Sequence, residues 1–144
     1  LTEDTAMKKF IGTKMVIATP MNRQQYNDYR DWPLPNDEDG ADDGYLVEYT
    51  DGGKPNHPNH TGYISWSPKE QFDAAYRPTD GLTFGLAIEA LKLGKRVARS
   101  SWDSNTWLIL TSNRIIKAFT DGSMSFGVQV SNDELFAEDW SVVQ

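Results

Sequence analysis

The stretch TFGLAIEALKLGKR, residues 83–96, constrains the fold more than any other. Thr83 is a side-chain cap, Phe84, Ile88 and Leu91 recur along one helical face, and Gly94 stands where helices commonly end. An amphipathic helix of this length needs an apolar surface to cover. The chain beyond it supplies one, in short β-prone runs at about 95–99, 106–111, 114–119, 124–130 and 139–143. TDGS, residues 120–123, is a hairpin turn, and NDELFAED carries a short helical turn between the last two runs. The expected class is α+β, a small antiparallel β-sheet packed with a few short helices.

The preceding half repeats the class with different elements. TKMVIAT reads as a strand that Pro20 ends. NRQQYNDYRDW reads as a short helix capped by Asn22, with Tyr26, Tyr29 and Trp32 spaced by three. PLPNDEDGADDG is an acidic surface loop. YLVEYT and GYISWS form a hairpin across DGGKPNHPNHT, and Ser67, Pro68 and Glu70 give the next helix, SPKEQFDAAY, the pattern of a capped start. The short connector Arg77–Gly81 predicts that the halves, 1–79 and 80–144, share one compact body.

Composition narrows the function. The net charge of −7 argues against a nucleic-acid polymer as partner, because such binding rests on neutralised phosphates. That charge divides as −5 through residue 79 and −2 beyond it, so the second half suits an anionic ligand better. With no cysteine, disulfides, thiolate metal sites and cysteine nucleophiles are excluded. No apolar run approaches a membrane span of about 20 residues, and LTEDTAMKKF lacks the apolar stretch of a signal peptide. The expected location is cytoplasmic; Met7 is a candidate natural start, with the six residues before it an upstream extension.

RVARSSWDSNTWLIL, residues 96–110, holds the residues of most interest. Trp102 reads either as a strand-edge packing residue or as a platform on which a base stacks. Arg99 lies on the strand leading to it, and Asp103 follows it. Alternation sends Arg99 and Trp102 to opposite faces unless the strand ends by Ser100. Ser131, Asn132 and Asp133 mark a helix start, where free N–H groups suit a phosphate and a carboxylate can hold ribose hydroxyls; a plain N-cap accounts for the same residues. Trp107 belongs to the core or to a subunit interface. HPNH, residues 57–60, has two histidines in a proline-containing loop without further ligands, so no metal site is assigned. No cofactor fingerprint and no nucleophile–base pair stands out.

FGLAIEALKLGKRVAR, a Trp with a small polar follower, TDG before a strand and a closing AEDW together resemble the Thoeris anti-defence sponge proteins of phages, the second named type, over residues 82–143. GYISWSPKEQFDAAYRPTDG resembles an accessory segment of phage and prophage proteins with the same C-terminal domain. The resemblance implies a non-enzymatic protein of the infected host's cytoplasm. Such a protein binds glycocyclic ADP-ribose, and in some members cyclic dinucleotides of CBASS immunity, without breaking them. The resemblance also strengthens the stacking reading of Trp102; the residues expected to contact ligand are Trp102, Asp103, Arg99, Ser131, Asn132 and Asp133, and the aromatic content predicts a homo-oligomer, for which the resemblance favours a tetramer. The chain departs from the pattern in having Asp103 where Asn is usual, Phe126-Gly127 in place of a Pro-Trp pair, and a compressed TSNRIIKAFTDG. Two rival classes stand beside this one: an enzyme that degrades the nucleotide, and an acidic module that engages a host protein.

Overall fold

The computed structural model describes residues 7–144, so the six residues ahead of Met7 lie outside the described residues. The chain divides into two compact units, one ending at Ala75 and the other running from Tyr76 to Gln144. Both are α+β with antiparallel sheets, as the sequence patterns predict. Among the described residues no helix is long and apolar enough to cross a membrane.

The first unit holds β1 (Val16–Pro20), α1 (Arg23–Tyr29), β2 (Gly44–Tyr49), β3 (Ile64–Pro68) and α2 (Lys69–Ala75), with sheet order β1-β2-β3. Asn22 caps α1 in a reciprocal capping box with Gln25. Tyr26 on α1 packs with Leu46 and Ile64, and Met21, Tyr29 and Trp66 close around them. The Trp66 indole donates to the Met21 carbonyl at 2.8 Å. Gly44 is required at the start of β2, because a Cβ there would lie 2.3 Å from the Ser67 carbonyl oxygen. One expectation needs correction: Ser67 stays in β3 opposite Tyr45, its hydroxyl donates to the Pro68 carbonyl, and helix α2 starts only at Lys69. The ladder to β2 holds Ser67 and Pro68 extended, and this outweighs a local capping preference.

The two histidines of HPNH also find structural roles. The His60 ring sits between the Glu48 carboxylate at 2.5 Å and the Tyr29 hydroxyl at 2.7 Å, and the His57 ring stacks on Tyr29 at 4.5 Å. They fasten the long β2–β3 loop to the sheet and to α1. Bonding to His60 holds the Glu48 carboxyl below its ordinary range.

The second unit contains α3 (Phe84–Lys92), β4 (Arg96–Arg99), β5 (Thr106–Thr111), β6 (Arg114–Phe119), β7 (Met124–Ser125), α4 (Asn132–Leu135) and β8 (Trp140–Val143). The sheet order is β7-β6-β5-β4-β8. Thr83 caps α3 by accepting from the Leu86 amide, and Gly94 follows the helix at φ +82°. The buried stripe of α3 is Ala87, Ala90 and Leu91, flanked by Phe84 and Ile88; the two alanines let the helix approach the sheet. Register places Val142, Val97, Leu108 and Lys117 in one cross-strand row, and the first three of these pack with α3. Arg96, Trp107 and Ala118 share the opposite face, and the Arg96 guanidinium lies 4.8 Å over the Trp107 ring. Trp107 is half-buried there and outside the α3 core. Residues 79–82 run along the outer edge of β8, where Leu82 and Trp140 exchange both backbone hydrogen bonds. The run expected at 124–130 forms only the two-residue β7, because pairing with β6 stops at Ser125 and Gly127 weakens any continuation.

Candidate functional site

The end of β4 and the start of β8 meet at one corner of the second sheet. Strand β4 ends at Arg99, and the Trp102 amide donates back to the Arg99 carbonyl at 3.0 Å, closing a turn. This early stop removes the strict alternation that would have parted the two side chains. The Arg99 guanidinium grips Asp139 with two hydrogen bonds of 2.7 and 3.3 Å, and the Ser100 hydroxyl donates to the same carboxylate at 2.6 Å. Bonding to Arg99 and then to Ser100 holds the Asp139 carboxyl below its ordinary range, while Asp139 raises the Arg99 value. The carboxylates of Glu134 and Asp133 act on Arg99 in the same direction.

A lowered folded-state value means that Asp139 stabilises the second unit above the unfolded carboxyl range and ceases to do so as pH falls through the folded value. Wild-type melting temperature is therefore expected to drop below about pH 4. In Asp139→Asn that share of the slope disappears. An unchanged slope in the variant, measured by melting temperature against pH, would show that Asp139 is not linked to folding.

Trp102 packs inward and faces outward at once. Its ring meets the fully buried Trp140 edge-on, with centroids 5.4 Å apart and planes at 76°, and it is half-buried. Trp140 is itself fixed by Phe84 at 5.2 Å and by its indole N–H, which donates to the Glu134 carbonyl at 2.9 Å. Over the Trp102 ring, 4.5 Å from its centre, stands the Lys117 ammonium. This is a cation–π contact with a lysine that has no carboxylate partner among the described residues.

The remaining predicted residues divide. Asp103 is exposed, and its carboxylate accepts from the Asn105 amide at 2.9 Å, forming the turn that leads into β5. Ser131 caps α4: its hydroxyl accepts from the Glu134 amide and its own amide donates to the Glu134 carboxylate. Asn132 and Asp133 are exposed in the first turn. This box occupies donors that an anion would need and adds two carboxylates, so the helix start suits hydroxyl groups better than phosphate. Arg99, held by Asp139, is likewise poorly disposed to a phosphate.

Among the described residues, the cation at the corner without a carboxylate partner is Lys117, which the sequence reading passed over. Its trace was legible, since Ile115, Lys117 and Phe119 alternate onto the face that packs under α3, and a lysine breaks that apolar row. A stacking ring, an unpaired ammonium and nearby carboxylates can together take a base, a phosphate and ribose hydroxyls.

The second unit is thus a small α+β domain with an aromatic and cationic corner. Residues 82–143 match the family model of the Thoeris anti-defense 2-like domain, so this part of the chain is similar to that domain. No curated protein matches the chain.

Proposed function

We propose that the second unit binds and holds an immune signalling nucleotide, glycocyclic ADP-ribose, without cleaving it, and so withholds it from Thoeris effectors. Cyclic dinucleotides of CBASS are a second ligand class of the same kind. The observation that carries this reading is half-buried Trp102, braced by buried Trp140 and overlain by the Lys117 ammonium, within the part of the chain that matches the Thoeris anti-defense 2-like domain. In it a base stacks on Trp102, Lys117 meets a phosphate, and Asp103, Ser131, Asn132 and Asp133 face ribose hydroxyls or base edges, with Arg99 holding the corner together through Asp139.

Thermal shift with glycocyclic ADP-ribose and with cyclic dinucleotides tests it. A rise in melting temperature that grows with ligand concentration is expected. No rise with any of them well above micromolar concentration favours a module that engages a host protein. The reading includes a homo-oligomer, with a tetramer favoured, acting in the cytoplasm of the infected host. Exposed Met124, Leu135 and Phe136, together with Phe126 at 63% exposure, offer apolar surface for it. Light scattering is expected to give a mass above one chain at high micromolar protein; a monomer with and without ligand contradicts this part.

A further inference from the structure

We propose that the first unit carries a binding site of its own, for a compact oxyanion borne on a flat aromatic ring. A cleft of about 240 Å³ opens beside α1 and the edge strand β3, lined by two arginines and several aromatic side chains. The Arg30 guanidinium lies over Trp32, its carbon 4.2 Å from the ring centre, and its Nη1 donates to the Tyr26 hydroxyl at 3.1 Å. Its other bond, to the Asn56 carbonyl, is long at 3.4 Å. No carboxylate pairs with Arg30 among the described residues. A guanidinium has five N–H donors, so most of this one remains available, held in orientation by rings and not by a counter-charge.

Arg23 stands at the other side of the cleft, 5.0 Å over Trp66. Its Nε is buried 2.9 Å from a Glu38 oxygen, yet it is not aligned for a hydrogen bond. At that distance the Glu38 carboxylate still balances Arg23, so Arg30 gives the cleft its net positive lining inside an acidic protein. Asn56 fixes the wall by bonding both the amide and the carbonyl of Ile64, at 2.7 and 2.9 Å. On the rim, Trp32 and Tyr63 are each 48% exposed and offer planes for a ring. The Arg30 fork suits a phosphate or a carboxylate, and aromatic planes on an arginine-backed wall suit the ring that carries it. The volume admits one ring with one anionic group. This inference does not depend on the corner at Trp102, which lies in the other unit.

The test is NMR titration of the full ¹⁵N-labelled chain with phenyl phosphate, benzoate, adenosine 5′-monophosphate and inorganic phosphate. The five Trp indole N–H signals report separately on each unit. Saturable shifts of Trp32 and Trp66 are expected with phenyl phosphate or benzoate, and which of the two binds more tightly tells whether the natural group is phosphate or carboxylate. Adenosine monophosphate, whose phosphate is borne on ribose and not on a ring plane, is expected to bind more weakly, and phenyl phosphate to shift the same pair in a Trp102→Ala background where the other unit's platform is gone. Arg30→Gln should weaken binding about tenfold, and Tyr63→Ala, a rim change that leaves the core intact, should weaken it less. Absence of Trp32 and Trp66 shifts with all aromatic anions overturns the proposal. So does inorganic phosphate binding as tightly as phenyl phosphate, or an unaltered affinity in a folded Arg30→Gln chain.

Discussion

Trp140→Ala is expected to unfold most of the second unit. Trp140 is completely buried, its ring supports Phe84 on α3 and Trp102 beyond β4, and its indole N–H ties down the end of α4. Truncating a buried Trp costs about 3–5 kcal/mol. A core of this size rarely supplies more than about that in total. Loss of cooperative melting of the second unit is the expected result, followed by hydrogen exchange at α3 amides. Trp140→Phe retains a ring and forfeits the Glu134 bond, so an intermediate loss is expected. A Trp140→Ala chain whose α3 amides stay protected as in wild type contradicts the role given to this residue.

Trp102→Ala is expected to weaken nucleotide binding by about 1 to 3 kcal/mol, roughly fivefold to somewhat over a hundredfold, the share a stacked base contributes. Because the ring also packs on Trp140, a smaller loss of melting temperature should accompany it. The half-buried position thus lies between a pure platform and a core residue. Trp102→Phe should keep much of the affinity. Lys117→Met keeps the stem over the ring and removes the charge, and is expected to weaken binding about tenfold with little change in stability. Calorimetry and melting curves on the same variants separate the two contributions. A well-folded Trp102→Ala protein with wild-type affinity defeats the stacking role.

Local chemistry made much of the fold legible. Thr83 and Gly94 bracket α3, Asn22 and Gln25 open α1, and the turn at Asp121-Gly122 appears where its residues place it, with Gly122 at φ +86°. Ser67-Pro68 misled because a helix start and the last positions of a paired strand can share one sequence, and the strand's partner, Tyr45 in β2, is 22 positions away. The candidate corner was legible only in part. Trp102 stood out as an aromatic set among small polar residues, whereas the pairing of Arg99 with Asp139 spans 40 positions and no local pattern announces it. That pairing makes Arg99 a brace for the corner. The break that Lys117 makes in the alternation of β6 was legible, but its meaning depends on which face of β6 packs under α3, and register across three strands decides that.

The proposal's centre is that the signal is held and not destroyed. Protein loaded with glycocyclic ADP-ribose and cleared of free ligand by gel filtration should, after heat denaturation, release material that activates a Thoeris effector in vitro and matches the intact nucleotide by mass. Recovery close to the bound amount, unchanged by hours of prior incubation, is the result expected of a sponge. Time-dependent loss of the intact mass with appearance of cleavage products, or no nucleotide retained through filtration, contradicts it.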